Sequence, residues 1–244
     1  MQETRRIQHS INSGYISIIV EDYELPAFWA HPQMTHTFPG LVVVHDNWGL
    51  TQHVRTCVRR LAETGFYVIA PDLYDGKTPQ SEQEAEVKAA ELGEAGIPRV
   101  SAALGVLKNH NHCNGKIGII GWQMGGELAL NLSVYRQDLL AAVIFYARPD
   151  DYLSMLAAEE APLLGFYGDG DPKISREMVQ RMGEAVAQSP GGGQVILYSG
   201  VGTDFFNDAL PTYNADAAAD AWERMITFLS KRLEPPQRRG VKPI

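Results

Sequence analysis

A chain of 244 residues with 45% hydrophobic and 20% charged side chains can bury one sizeable core and lacks the composition of a disordered polymer. Its formal net charge of -8 opposes nucleic-acid binding, which needs clustered Lys and Arg to neutralise phosphates. No run of about 18 apolar residues occurs, and no apolar segment follows the basic N-terminus MQETRRIQHS, so a cytoplasmic protein without membrane contact is expected.

In chain order, residues 1–14 read as an N-terminal extension, 15–233 as a single domain and 234–244 as a flexible, basic, Pro-rich tail. Tyr15 to Ala30 alternates apolar and polar residues around Pro26, which predicts an antiparallel hairpin at a sheet edge. Leu41 to His45 (LVVVH) predicts a buried strand. Gln52 to Thr64 predicts a helix with Val54, Cys57, Val58 and Leu61 on one face, ended by Gly65. Tyr67 to Ala70 is the next strand, and the turn-rich PDLYDGKTP leads into a helical region from Ser81 to Lys108, expected to break around Gly93, Gly96 and Pro98.

His110 and His112 flank Asn111 without a nearby third ligand and read as a surface turn rather than a metal pair. Lys116 to Ile120 predicts a central strand, followed by a glycine-rich turn and a helix from Met124 to Tyr135. Further strands are expected at Ala141 to Tyr146, Leu163 to Tyr167 and Val195 to Tyr198, with helices at Ser175 to Gln188 and Tyr213 to Arg232. Strands alternating with helices imply an α/β fold with a mainly parallel sheet. The two cysteines, Cys57 and Cys113, are too few for a disulfide framework or a cysteine-based metal site and read as reduced core thiols, neither of them a nucleophile. No metal or cofactor is expected.

The turn Gly121-Trp122-Gln123-Met124-Gly125-Gly126 has the spacing of a nucleophile elbow, G-x-Nu-x-G, between a strand and a helix. Five segments in order, VVVHDNWGL (42–50), GFYVIAPDLYDG (65–76), KIGIIGWQMGGELAL (116–130), FYGDGDPKI (166–174) and YSGVGTDFFND (198–208), resemble the dienelactone hydrolase family. The resemblance implies an α/β-hydrolase fold: a mainly parallel central sheet with helices on both faces and an N-terminal antiparallel edge hairpin. It places Gln123 where that family has its cysteine nucleophile, Asp171 at the triad acid, Thr203 at the catalytic histidine and Asp46 at an acidic position of the site.

Two of these positions depart from the family's chemistry. An amide cannot serve as the nucleophile, and a threonine hydroxyl cannot take and return a proton near neutral pH. The N–H of Met124 at a helix N-terminus, paired by resemblance with that of Asn47, would still offer oxyanion donors. Asp46 and Asp171 are candidate acid–base groups, with Asp171 also able to bond simply to Thr203 and backbone amides. His45, Trp48, Trp122, Tyr146 and Phe205 are candidates to line an aromatic pocket, His45 also fitting a plain core role. The expected ligand is a small apolar or aromatic molecule with a carbonyl. The first reading is an enzyme of non-hydrolytic acid–base chemistry, of isomerase, cyclase or lyase type. The alternatives are a non-catalytic ligand-binding pseudo-hydrolase, or weak hydrolysis of esters or lactones by a water activated at Asp46 or Asp171.

Overall fold

A computed structural model describes residues 8–20, 23–33 and 36–235. The chain runs β1 (Ile11–Val20), β2 (Tyr23–Pro32), β3 (Phe38–Val44), α1 (Gln52–Glu63), β4 (Tyr67–Pro71), α2 (Glu82–Leu92), α3 (Gly96–Lys108), β5 (Cys113–Trp122) and α4 (Met124–Tyr135). It continues through β6 (Leu139–Phe145), the short α5 (Leu153–Leu156), β7 (Leu163–Gly168), α6 (Arg176–Gln188), β8 (Gly193–Tyr198) and α7 (Ala215–Leu233). The eight strands form one sheet in the order β1-β2-β4-β3-β5-β6-β7-β8. The β1–β2 and β2–β4 pairs are antiparallel and all others are parallel, so the expected edge hairpin sits beside a parallel sheet.

Helices cover both faces. A Cβ built on Gly40 would meet Leu107 of α3, whereas one built on Gly118 would meet Leu233 of α7. Gly118 pairs with Leu41, the neighbour of Gly40, and successive strand residues point to opposite faces. The α3 and α7 layers therefore lie on opposite sides. α1 shares the α7 side, since the Arg60 guanidinium lies 3.8 Å from the Trp222 ring centroid. Strands enclosed by two helix layers must be apolar throughout, and Phe38 to Val44 are all buried.

Several boundaries differ from expectation, β3 and β5 each starting three residues early, at Phe38 and Cys113. β1 starts at Ile11, inside the stretch expected to be an extension, because Ile11 pairs with Pro32. The long helical region breaks at Gly93 to Ala95, a 3-10 turn, but Gly96 and Pro98 lie within the first turn of α3. Proline is tolerated there because the first turn has no intrahelical acceptor for its missing N–H. A 3-10 turn at Asp150–Tyr152 and α5 were not anticipated. The expected flexible tail falls from residue 236 onward outside the described residues. No described helix is long and apolar enough to cross a membrane.

Candidate active site at the strand–helix elbow

β5 runs directly into α4 through Gln123, whose backbone sits at φ 47 and ψ -120. This is a sparsely populated conformation costing on the order of 1–3 kcal/mol, which persists only when the surroundings impose it. The glycines are what allow it. A Cβ on Gly121 would come within 2.1 Å of the Gly125 carbonyl oxygen, and one on Gly125 within 2.3 Å of the His45 carbonyl oxygen. The backbones of β3, β5 and α4 thus touch without intervening side chains.

Around the elbow, the Gln123 N–H donates to the Phe145 carbonyl at 3.1 Å. The Asn47 N–H donates to Gln123 Oε1 at 3.5 Å, and the Met124 N–H donates to Asn47 Oδ1 at 3.4 Å. The two donors expected to stand open for an oxyanion are therefore covered by side-chain oxygens of Gln123 and Asn47. Both contacts lie at the long limit for hydrogen bonds and are weak, so a carbonyl oxygen in the same place would compete well with them. Gln123 bonds to neither Asp171 nor Thr203 in this arrangement. The surroundings are nearly closed: Asp46 and Tyr146 are each 3% exposed.

Asp46 follows β3 and accepts hydrogen bonds from the Trp48 N–H (2.8 Å) and from Asn207 Nδ2 (3.3 Å). Burial pushes its carboxyl up to about 6, partly offset by those two donors. The neighbour of Thr203 is a second acid, half-buried. Asp204 has φ 57, and its Oδ1 is buried with no hydrogen-bond partner among the described residues. Burial, and next the nearby charge of Asp46, raise Asp204 to about 7. The Tyr146 hydroxyl is likewise buried without a partner, and burial followed by the charges of Asp204 and Asp46 holds it in its protonated form. Asp46, Asp204 and Tyr146 form one polar cluster, and Tyr146 follows the Phe145 carbonyl that holds Gln123.

The other expected site residues divide. Asp171 accepts from the Lys173 N–H at 2.8 Å within its own loop, the local role that was the alternative for it. Thr203 is half-buried, and Trp48 is half-buried beside Asp46. His45 is fully buried, donating from Nδ1 to the Asp46 carbonyl (2.7 Å) and accepting the Leu73 N–H at Nε2 (3.1 Å), so it is a core residue and not part of the lining. Trp122, 2% exposed, stacks between Phe145 and Phe206, and Phe205 packs between Tyr146 and Tyr198. Both belong to the core because the alternation of β5 and the sheet-end packing turn them inward, which corrects their placement in a pocket wall. His110 and His112 are exposed and lie ring to ring at 5.4 Å.

Sequence reasoning passed over Asp204, Asn207 and Tyr74, whose hydroxyl lies 3.6 Å from Met124 Sδ. The available signal for the first two was an acid and an amide embedded in VGTDFFND, where the flanking apolar residues imply burial.

Comparison with known proteins extends these observations. The sequence profile of the Dienelactone hydrolase family matches residues 25–233. A Yersinia pestis protein named "Putative carboxymethylenebutenolidase" is 28% identical over 242 residues, covering 91% of this chain and 90% of its own length. Among solved structures, a "Putative Dienelactone Hydrolase" from Klebsiella pneumoniae superposes with a TM-score of 0.82 at 23% identity, over 91% of this chain and 100% of that one. A dienelactone hydrolase-like promiscuous phosphotriesterase from metagenomic libraries does so with a TM-score of 0.80 at 21% identity, over 91% and 98%. At such identities the structural likeness speaks for the fold alone. The elbow with its enforcing glycines, the parallel sheet between two helix layers and a match spanning nearly the whole domain make this chain a member of the dienelactone hydrolase family.

Proposed function

We propose that the chain is a small-molecule enzyme that uses non-covalent acid–base chemistry on a carbonyl compound at the elbow, with Asp204 as acid and Asp46 as base. The observation that carries this reading is the half-buried Asp204 carboxyl, whose Oδ1 is enclosed without a partner among the described residues and which is raised to about 7 beside an Asp46 raised to about 6. Two carboxyls with environments that separate their proton affinities near neutral pH are suited to paired proton transfer. The substrate oxygen would displace Gln123 Oε1 and take the N–H groups of Asn47 and Met124, which stabilise charge developing on an enolate. An aromatic or apolar carbonyl compound would enter beside the half-buried Trp48, with Tyr74 and Tyr146 buried behind it. A second reading, hydrolysis of lactones or esters by a water activated at Asp46, is favoured by the name of the Yersinia pestis relative. Binding without turnover is favoured by the Gln123 amide, whose oxygen already reads a backbone donor.

Proton–deuteron exchange at carbon next to the carbonyl, followed by NMR over unsaturated lactones and ketones in heavy water, separates the three. Exchange without ring opening is expected, reduced about 10²-fold or more in Asp204→Asn, the usual size of a general acid–base contribution. The pair should titrate jointly, with kcat/KM greatest between about 6 and about 7. Ring opening that survives Asp204→Asn supports hydrolysis, and tight binding with neither reaction supports a binding protein.

Asp204 also predicts a stability effect. Its folded-state proton affinity is raised from 3.8 to about 7, so between those pH values the folded chain binds the proton more strongly than the unfolded one. Stability should therefore fall as pH rises through that window and level off above it. In Asp204→Asn this decline should shrink, leaving the variant more stable than the parent at pH 8 by up to a few kcal/mol in urea unfolding. Parallel pH curves for the two proteins would count against a protonated Asp204.

A further inference from the structure

On the α1–α7 face, with the His53 ring 6.4 Å from that of Trp122, the chain assembles a second chemical group. His53 and Cys57 lie one turn apart on α1, with Cys57 Sγ 3.7 Å from His53 Nε2. His53 Nδ1 lies 2.8 Å from Oδ1 of Asp208, 155 positions away on the loop before α7. The carboxylate accepts a hydrogen bond from Nδ1–H, which leaves the Nε2 lone pair facing the thiol. Burial lowers the proton affinity of His53 and pushes the Cys57 thiol up to about 12. The resting state is a neutral thiol against a neutral imidazole; both shifts oppose proton transfer at rest, so the sulfur becomes nucleophilic only as a bound carbonyl draws the proton to Nε2 in the same step. His53, Cys57 and Asp208 line a cleft of about 290 Å³ together with Arg60, Phe206 and Trp222. Cys57 is 2% exposed, so only the narrow end of a ligand reaches it.

We propose that Cys57, His53 and Asp208 form a second site, in the α1–α7 cleft, that accepts the acyl group of a small ester whose apolar part packs on Phe206 and Trp222. In the step, Cys57 Sγ bonds to the carbonyl carbon while its proton passes to His53 Nε2. The carbonyl π pair moves onto oxygen, facing the Arg60 guanidinium. Collapse re-forms the carbonyl and expels the alkoxide, which leaves as the alcohol with the proton from His53, and Cys57 is left as a thioester. Water, deprotonated by His53, then attacks the thioester, and the thiol recovers a proton as the acid departs. Asp208 holds the imidazole in the required tautomer throughout.

The test uses the full chain and p-nitrophenyl acetate, following nitrophenolate release and locating the acetyl group by peptide mass mapping. One acetyl group on Cys57 is expected, with its formation slowed about 10²-fold or more by His53→Gln, the scale of general-base catalysis. Asp208→Asn should slow it about 10-fold, and Cys113→Ser should leave it unchanged. Circular dichroism and the unfolding midpoint report whether each variant folds, and the mapping on the unaltered chain is decisive by itself. Absence of acetyl from Cys57 overturns the proposal. So does acetylation of Cys57 at equal rate in folded His53→Gln, which would make the thiol merely accessible.

Discussion

Replacing Gln123 by Cys and Thr203 by His in one chain is expected to raise hydrolysis of p-nitrophenyl esters at the elbow by about 10³-fold, measured as kcat/KM in a Cys57→Ser background that silences the second thiol. The expectation rests on how much of the elbow is already built. The backbone at position 123 holds φ 47 and ψ -120 whatever its side chain, because the glycine contacts of β3, β5 and α4 impose it. A cysteine there is shorter than glutamine, so the Asn47 N–H loses the Gln123 oxygen and becomes free for an oxyanion. The Met124 N–H sits at the N-terminus of α4, where the helix dipole favours both a thiolate and an oxyanion.

Gln123→Cys alone should gain far less, since no imidazole would stand near the sulfur, and residues that act as a unit show strongly non-additive effects. The double variant should also release nitrophenolate in a burst, with mass mapping locating the acyl group on the sulfur introduced at position 123. A double variant no faster than the single one would mean that position 203 and Asp171, which now caps its own loop through the Lys173 N–H, are not aligned with the elbow.

Gly121→Ala is expected to destabilise the fold by about 4 kcal/mol or more, at the upper end of single substitutions. The new Cβ would lie 2.1 Å from the Gly125 carbonyl oxygen and 2.7 Å from the Gly126 nitrogen, both of them backbone atoms. No rotamer change can relieve a clash with backbone, so β5 and α4 would have to separate, and α4 is one of the most deeply buried helices. Gly105→Ala provides the contrast. Its Cβ meets nothing within 4 Å in the middle of α3, and removing a glycine from a helix interior should stabilise by up to about 1 kcal/mol. Urea unfolding of the two variants side by side checks both, and an unchanged midpoint for Gly121→Ala would show that the elbow backbone yields easily.

Elements whose signal is local were legible in the sequence. The strand at Leu41 to His45, the amphipathic α1 and the glycine-flanked turn at Gln123 announce themselves through runs, periods and spacings within a dozen residues. Pro98 misled because one residue type breaks a helix interior yet starts a helix comfortably, and the distinction depends on where the preceding turn ends. Trp122 and Phe205 misled for a different reason: an aromatic residue near a site faces either a pocket or the core, and only its neighbours across the sheet choose between them.

Covalent identity needs no fold. From the sequence alone it follows that residue 123 carries an amide where a nucleophile would stand, and that residue 203 carries no imidazole, because these are properties of single side chains. What the tertiary structure decided is proximity. Asn207 reaches Asp46 across 161 positions, and Asp208 reaches His53 across 155. Asp204 acquires its proton affinity from burial and from Asp46, neither of which is written near it in the chain. Hydrogen bonds, desolvation and charge interactions depend on distance in space, and the sheet order that brings these loops together is a property of the whole domain.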